Sequence, residues 1–354
     1  MNILVIGPSW VGDMMMSHAL YQQLKVQYPD CQIDVMAPDW CRPLLARMPE
    51  VHKAISMPIG HGAFRLVERY RLGKSLRNQY DMAIILPNSF KSALIPFFAK
   101  IPVRRGWKGE FRYGLLNDLR ANKNDYPMMV QRYVALSFEK GQVPTAQNLP
   151  LLYPHLQTQA VEIEATKAKF SQLLNQAENR HTIGFCPGAE FGPAKRWPHY
   201  HYAKLAEMLI EKGYSVQLFG SKKDQEAGEQ IRQSLPENLQ SYCLNLAGLT
   251  DLNQAVDLIA DCAAVVSNDS GLMHIAAALN KPLIALYGPT SPAYTPPLSS
   301  NAEVIRLIEG GLIKIRKGEA AEGYHQSLID IQPEMVMETV SYTHLRAHET
   351  PEHL

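Results

Sequence analysis

The sequence lacks an excess of charge, because 35 Lys and Arg residues stand against 34 Asp and Glu residues and leave a formal net charge of +1. A dedicated nucleic-acid-binding protein carries a global basic excess, so this class of protein is excluded. The five cysteines are scattered, and no two of them form a Cys-x-x-Cys pair. An odd number of widely spaced cysteines indicates reduced thiols in a cytosolic protein.

Long apolar runs are lacking as well. No apolar stretch approaches the roughly 20 residues that a helix needs to span a bilayer. The chain begins directly with the strand-like run Ile3–Ile6, without the basic and apolar regions of a signal peptide. We therefore expect a cytoplasmic protein whose contact with any membrane is peripheral.

Several signatures of catalysis are missing. The sequence contains no Asp-x-Asp, the carboxylate pair that usually holds a metal bound to nucleotide phosphates, and no Gly-x-Ser-x-Gly elbow. The glycines at 60 and 62 do not continue as a dinucleotide-binding fingerprint, because Arg65 occupies the next position of that motif. His199 and His201 are only a weak metal signal. We expect a protein that needs neither a metal nor a cofactor.

What the sequence does contain is an alternation of strand-like and helix-like segments. In the first half the predicted strands are Ile3–Ile6, Ile33–Met36, Ala54–Met57 and Met82–Leu86. The predicted helices are Met14–Tyr28, Trp40–Arg47, Ala63–Asn78, Phe90–Phe98 and Pro127–Lys140, with an irregular stretch at 103–125. Such an alternation predicts a parallel sheet with helices on both faces.

The second half repeats the alternation. Its predicted strands are Thr182–Cys186, Tyr214–Phe219, Ala263–Ser267 and Leu283–Tyr287. Its predicted helices are Pro198–Lys212, Asp224–Leu235, Leu252–Asp261, with Thr250 or Asp251 as its cap, and Leu272–Leu279. We predict an α/β protein of two tandem open units, residues 1–150 and 181–340, joined by a linker at 151–180. Ligands bind such sheets at the C-terminal ends of the strands, so the expected site is a cleft between the units.

The loop Gly7–Asp13 follows the first predicted strand. Gly7 and Gly12 have the spacing of a phosphate-binding loop, but Asp13 stands where that motif requires lysine. A carboxylate there would repel a phosphate, so the loop is interpreted as placing Asp13 in a cleft. The alternative is that Asp13 only caps the helix, since Asp is a preferred N-cap residue.

Two loops of the second half are suited to an anion. The first ends in Lys195 and Arg196 directly before a helix, where free amides and full charges attract phosphate. The alternative is a solvated pair of surface cations. The second is Asn268–Gly271, whose amides and Ser270 hydroxyl can hold an anion while Asp269 accepts bonds from sugar hydroxyls. His274 lies one turn further and either faces the same ligand or is a satisfied helix histidine.

These loops, namely Gly7–Met16, Pro187–Pro198 and Asn268–His274, resemble those of the lipopolysaccharide inner-core heptosyltransferases. The resemblance runs from Met1 to about Glu338. It implies a B-type glycosyltransferase fold of two Rossmann-like domains and an inverting transfer of L-glycero-D-manno-heptose from ADP-heptose. It implies an acceptor on the N-terminal domain, the first heptose of the inner core on Kdo and lipid A, and ADP-heptose on the C-terminal domain. Ser9–Val11 and Asn88–Phe90 favour this acceptor over another core position.

The resemblance also implies roles for individual residues. Asp13 matches the family's proposed catalytic base, and Lys195 matches its phosphate-contacting lysine. The residues expected to bind the donor are Lys195, Arg196, Asp269, Ser270, Gly271, Leu272 and His274. The residues expected to bind the acceptor are Ser9, Trp10, Gly12, Asn88, Ser89, Lys91, Arg104 and Arg105. The alternatives from other classes are a non-catalytic nucleotide-binding protein, which would not need Asp13, and an oxidoreductase, which lacks its fingerprint here.

Two basic segments of the first half, 63–79 and 101–113, are expected to face anions. For the first, a solvated helix face is the alternative. In the second, Arg104 and Arg105 are interleaved with aromatic residues, as suits a contact with Kdo carboxylates, lipid A phosphates and the cytoplasmic face of the inner membrane. Residues 341–354 carry no helical apolar stripe, look foreign to the family and are predicted to lie outside the fold.

Overall fold

The computed structural model contains two parallel sheets, one in each half of the chain. It describes residues 1–177, 179–311 and 314–348, and for 344–348 it describes the backbone only. Contacts divide the chain into a first unit, Met1–Gln157, and a second unit that begins at Thr158. This boundary falls inside the segment 151–180 that was expected to be the linker.

The sheet of the first unit has the strand order β3-β2-β1-β4-β5-β6, and every neighbouring pair is parallel. Its strands are β1 (Asn2–Ile6), β2 (Gln32–Ala37), β3 (Val51–Ser56), β4 (Met82–Ile85), β5 (Val103–Trp107) and β6 (Asp118–Arg120). Its helices are α1 (Val11–Gln27), α2 (Arg42–Leu45), α3 (Leu66–Ser75), α4 (Leu94–Phe98) and α5 (Met129–Ala135). Apolar residues of β1 and β4 are buried on both faces of the sheet, which is why these strands are continuous apolar runs.

The sheet of the second unit has the order β12-β11-β10-β7-β8-β9 and is also parallel. Its strands are β7 (Thr182–Cys186), β8 (Ser215–Leu218), β9 (Cys243–Asn245), β10 (Ala264–Asn268), β11 (Leu283–Leu286) and β12 (Ala302–Ile305). Its helices are α6 (Ala160–Lys169), α7 (Ser171–Leu174), α8 (His199–Glu211), α9 (Gln225–Gln233), α10 (Leu252–Asp261), α11 (Gly271–Ala278), α12 (Gln326–Ile329) and α13 (Pro333–His348). The α/β prediction with two parallel sheets is confirmed.

The ends of the elements follow local chemistry. Asp251 caps α10, because its carboxylate accepts from the Gln254 amide at 2.8 Å while the Gln254 side chain accepts from the Asp251 amide. This confirms Asp251 rather than Thr250 as the cap. None of the described helices is long and apolar enough to cross a membrane.

Besides the short strands β9 and β12, which were not predicted, two parts of the chain differ from the sequence prediction. The stretch 103–125 was expected to be irregular, yet it contains β5 and β6. The last helix, α13, continues through His348, with Val340 and Thr343 buried, so the expectation that the chain from 341 onward lies outside the fold does not hold for 341–348. Residues 349–354 lie outside the described residues.

Candidate functional site

The turn between β1 and α1 places Asp13 in the first turn of the helix. The helix begins at Val11, and the side chain of its N-cap residue, Trp10, makes no capping bond. Asp13 therefore lies inside the helix, and the alternative that it is the cap is wrong. Its side chain is half-buried, and the Tyr133 hydroxyl donates to Oδ1 at 3.4 Å. The positive end of the helix dipole stabilises an ionised carboxylate at this position.

Three residues expected to bind the acceptor directly precede Asp13 in the turn and the helix start. Ser9 and Gly12 are half-buried, whereas the Trp10 ring is half-exposed and lies 5.7 Å from the His61 ring. Gly7 makes the close turn before them possible, since its amide donates to the Met36 carbonyl at 2.9 Å and a Cβ would lie 3.0 Å from that oxygen. Ser9, Trp10 and Gly12 therefore lie beside Asp13 at the carboxyl end of β1.

The loop after β4 carries Asn88, Ser89 and Lys91, and buried arginines hold its backbone. Arg112 Nη1 donates to the Pro87 carbonyl at 2.7 Å, and Arg69 Nη1 donates to the Lys91 carbonyl at 3.2 Å. Both guanidinium groups are buried, and desolvation lowers the pKa of Arg112 to about 10. These arginines fix the shape of the loop that carries the predicted acceptor residues. From the sequence alone, an arginine with this structural role cannot be told from one that binds an anion.

Arg105 does not face a ligand, so its assignment to the acceptor site is wrong. Its side chain is fully buried in β5 and forms ion pairs with Asp118 at 2.6 Å and Glu139 at 3.0 Å. These carboxylates keep the pKa of the guanidinium above its usual value despite desolvation. Arg104 is half-buried, donates to the carbonyls of Leu115 and Ile101, and lies over the Phe97 ring. The pair therefore stabilises β5 and β6 rather than forming an exposed anion site.

In the second unit, Asn268 joins the two loops expected to bind the donor. Its fully buried side chain accepts from the Trp197 amide and the Tyr202 hydroxyl, both at 3.0 Å, and donates to the Pro187 carbonyl at 2.7 Å. Because Asn268 ends β10 and Pro187 follows β7, these bonds hold the loops together at the carboxyl ends of adjacent strands. Asn268 was not among the predicted site residues, because the loop sequence that begins there gives no signal of this structural role.

Lys195 and Asp269 form the charged centre of this site. Lys195 Nζ lies 2.7 Å from Asp269 Oδ2, and the Asp269 side chain is buried. His274 is buried close to this pair, and its burial lowers the imidazole pKa to about 4. The histidine is therefore neutral at pH 7. The structure thus brings together Lys195, Asp269 and His274, which come from different segments of the sequence. The alternative that Lys195 is a solvated surface cation is therefore excluded.

The remaining predicted donor residues open helix α11 or flank it. Ser270 is the N-cap residue of α11, and Gly271 and Leu272 are its first two residues, so their free amides lie next to Asp269. Arg196 is half-buried, with Nη2 at 3.8 Å from Asp224 Oδ1 and Nε without a hydrogen-bond partner among the described residues. A helix start with two cations nearby can bind a diphosphate.

A segment far along the chain completes the site and was not predicted. Residues 314–325, which we call the strap, pack on the loop 187–198. The Ala194 amide donates to the Arg316 carbonyl at 3.2 Å, and the Tyr324 hydroxyl lies 2.9 Å from His199 Nδ1. Gly192, at a positive φ of 147°, touches the same carbonyl of Arg316 and leaves no room for a side chain. The strap therefore fixes the loop that carries Lys195.

Known proteins resemble this chain along nearly all of it. Residues 69–325 match the glycosyltransferase family 9 (heptosyltransferase). Over 343 residues the chain is 78% identical to a lipooligosaccharide heptosyltransferase 2 of Haemophilus ducreyi, covering 96% of this chain and 99% of the relative. It is 63% identical to lipopolysaccharide heptosyltransferase 2 of Escherichia coli, covering 96% and 98%. The solved structure of E. coli ADP-heptose lps heptosyltransferase II superposes with a TM-score of 0.89 at 59% identity, covering 98% of this chain and 99% of that one.

Proposed function

Because this chain belongs to glycosyltransferase family 9 and is a heptosyltransferase of that family, we propose that it moves L-glycero-D-manno-heptose from ADP-heptose to the first heptose of the lipopolysaccharide inner core. The observation that carries the donor half of the proposal is the Lys195–Asp269 pair at the start of α11, beside the neutral His274. Relatives named for the second heptose transfer, at 63–78% identity, support the acceptor.

The proposed reaction is a single displacement with inversion at the anomeric carbon. A bond forms between the acceptor hydroxyl oxygen and that carbon, while its bond to the β-phosphate oxygen breaks and ADP leaves. Asp13 accepts the proton of the acceptor hydroxyl. Since the helix dipole favours the ionised carboxylate, Asp13 is a weak base, and the proton moves late, as the anomeric bond breaks.

The donor residues are proposed to act on the departing diphosphate. Lys195, Arg196 and the free amides of Ser270, Gly271 and Leu272 neutralise the charge that grows on ADP, the task that a metal performs in other transferases. Asp269 positions Lys195 and accepts bonds from sugar hydroxyls. His274, neutral at pH 7, hydrogen-bonds the donor without adding a further positive charge. We propose on this basis that neither a metal nor a cofactor is required.

Mass spectrometry of acceptors tests the proposal. Purified protein is incubated with ADP-heptose and either heptosyl-Kdo2-lipid A or Kdo2-lipid A. We expect a gain of one heptose on the first acceptor and none on the second. A gain on the second acceptor alone would assign the protein to another core position. No gain on either, with intact ADP binding, would favour a non-catalytic nucleotide-binding protein.

The acceptor is anchored in lipid, so we also propose that the protein works in the cytoplasm at the face of the inner membrane. The exposed cations of the first unit, Arg65, Arg71 and Lys74, support a contact with anionic headgroups. Arg69, Arg105 and Arg112 do not contribute to it, because all three are buried.

A further inference from the structure

Helix α3 exposes apolar side chains on its outer face. Its inner face carries the buried residues Arg69 and Gly73, and Leu76, which follows the helix, is buried as well. Its outer face carries Val67, which is 61% exposed, and Tyr70, which is 42% exposed. Residues three and four apart lie on one side of a helix, so Val67, Tyr70, Arg71 and Lys74 share this face. Phe64 and Leu66 are exposed where the helix begins.

The apolar face continues onto α4. Gly73 lets the two helices pack closely, since a Cβ there would lie 2.6 Å from Phe98 Cβ. The Tyr70 ring meets the Phe98 ring edge-on at 5.3 Å, and Phe98 in turn meets Phe97 at 5.8 Å. Phe97 is 40% exposed, and the Arg104 guanidinium lies 5.5 Å from its ring centre. Two helices thus expose one continuous set of apolar side chains.

The charge around these side chains is positive. Arg71, Lys74 and Lys100 are exposed, and Glu68, the acidic residue of α3, forms an ion pair with Arg65 at 2.7 Å. Aromatic and aliphatic side chains bordered by arginine and lysine suit the boundary between headgroups and acyl chains of an anionic bilayer. A second copy of the chain fits less well, because a two-fold interface would place this positive face against itself.

We propose that the α3–α4 face, defined as Phe64, Leu66, Val67, Tyr70, Arg71, Lys74 and Phe97, docks on the surface of an anionic bilayer. The role of this docking rests on the proposed function, which supplies a lipid-anchored acceptor. The lipid contact itself does not require transfer of heptose, so the two can fail separately.

Co-sedimentation with vesicles tests the docking surface. The vesicles contain phosphatidylglycerol and phosphatidylethanolamine, and phosphatidylcholine vesicles give the neutral reference. The test variant is Val67→Glu, and the matched control is Val26→Glu, because Val26 is 66% exposed on α1 of the same unit. Val67→Glu removes a valine side chain that the bilayer would bury and adds a charge that the headgroups repel, so the partition coefficient should fall about tenfold or more. The control should partition as the wild type does.

Three outcomes would overturn the docking proposal. Equal partition of the two variants would show that another surface binds lipid. Equal binding of the wild type to neutral and anionic vesicles would show that charge plays no part. A wild-type dimer without vesicles that Val67→Glu dissociates would assign the face to a second copy. Unchanged heptose transfer by Val67→Glu to an acceptor without acyl chains would leave the proposed function standing in each case.

A second, independent observation concerns Arg316 on the strap. Its guanidinium lies 5.5 Å from the centre of the Phe191 ring, and Lys195 Nζ lies 5.8 Å from the same centre. Lys195 is already paired with Asp269 at 2.7 Å. In the described part of the chain no carboxylate forms an ion pair with Arg316. Of the two cations beside Phe191, Arg316 is therefore the one without an ion pair among the described residues, and it is exposed.

We infer that Arg316 binds the diphosphate of the donor together with Lys195. A guanidinium is suited to this because it binds phosphate oxygens in bidentate fashion. Its main chain fixes its position, since the Arg316 carbonyl accepts from the Ala194 amide in the loop that carries Lys195. The inference rests on the proposed donor, ADP-heptose. Arg316 belongs to none of the loops that the sequence predicts to bind the donor.

Titration with ADP and, by competition, with adenosine tests Arg316. Arg316→Gln removes the charge and keeps the main-chain bond to Ala194, while Lys317→Gln removes the neighbouring charge as a control. We expect Arg316→Gln to weaken ADP about tenfold or more, with adenosine unchanged, because a charge-assisted bond to phosphate is lost. Arg316→Lys should recover part of the loss, and Lys317→Gln should bind as the wild type.

An equal loss of ADP and adenosine binding in Arg316→Gln would show a change in the fold of the strap and overturn the inference. Wild-type affinity for ADP would overturn it as well. Either result, combined with normal heptose transfer by the wild type, would leave the proposed function intact. A wild type that binds ADP through Arg316 but transfers no heptose would refute the proposed function alone.

Discussion

Replacing Asp13 by asparagine separates catalysis from folding. Asp13 lies in the first turn of α1, and asparagine keeps an oxygen that can accept the long bond from Tyr133, so the main expected loss is the interaction of the charge with the helix dipole. That interaction contributes about 0.3–1 kcal/mol. In a unit of 157 residues this corresponds to a decrease in Tm of roughly 1–4 °C. Asp13→Asn should therefore fold and bind ADP as the wild type does.

The effect on turnover should be far larger. An amide cannot accept the proton of the acceptor hydroxyl, and loss of a general base lowers kcat by roughly 10²–10⁴-fold. The assay is release of ADP from ADP-heptose with heptosyl-Kdo2-lipid A as acceptor, checked by mass spectrometry. Tyr133→Phe is the control, because the long 3.4 Å bond from its hydroxyl to Asp13 is weak. We expect it to change kcat by less than about tenfold.

Two results would refute this reasoning about Asp13. A kcat within a few-fold of the wild type would leave the carboxylate with no part in proton transfer. A parallel loss of ADP affinity or a large fall in Tm would show that Asn disturbs the turn at Gly7–Trp10 instead. The combination of intact folding, intact ADP binding and slow transfer is what a base predicts.

Three further substitutions test the charges of the two units. Lys195→Ala should weaken ADP-heptose binding and slow transfer, since it also leaves the buried Asp269 without its partner. EDTA should leave the wild type active, and activity that is lost to EDTA and restored by Mg²⁺ would contradict the metal-free reaction. Arg105→Met should cost about 1–3 kcal/mol in the free energy of unfolding, measured in urea, because Glu139 loses its ion pair and Asp118 keeps only Arg120. The exposed Lys100→Ala should cost almost nothing. His274 has a folded-state pKa of about 4, below the unfolded value near 6.5, so its contribution to stability is present above pH 6.5 and is lost as the pH falls toward 4. Thermal unfolding of His274→Gln should accordingly lose less Tm than the wild type between pH 6.5 and pH 4.

The central elements could be predicted from the sequence because their burial leaves a clear pattern. The observed bounds of β7, Thr182–Cys186, and α10, Leu252–Asp261, are those predicted. The missed strands are of two kinds. β9 and β12 are short edge strands, and neither contains the buried apolar run by which a central strand is recognised in the sequence. β5 contains two consecutive arginines, and the buried one, Arg105, is neutralised by Asp118 and Glu139, which lie 13 and 34 residues later in the chain.

The site residues divide in a similar way. Asp13, Lys195 and Asp269 follow the carboxyl ends of β1, β7 and β10, where the parallel-sheet rule places ligands. Residue type and position were therefore enough to predict them as site residues. The strap could not be found in this way. Its contact with the donor loop joins Ala194 to Arg316 across more than a hundred residues, and no spacing rule relates such distant positions.

Arginine is the residue type whose role was hardest to predict from the sequence, because buried structural arginines and exposed anion-binding arginines look alike there. The basic segments 63–79 and 101–113 read as surfaces for anions, yet Arg69, Arg105 and Arg112 are buried. Arg69 and Arg112 donate to backbone carbonyls, and Arg105 pairs with two carboxylates. A guanidinium with five donors can satisfy several acceptors that would otherwise be buried without partners, so the same residue type serves loop geometry as well as anion binding. The positive charge left for a membrane is accordingly smaller than the sequence indicates, and it lies on α3 beside exposed apolar side chains. A surface of this composition binds lipid through burial of apolar area together with charge, not through charge alone.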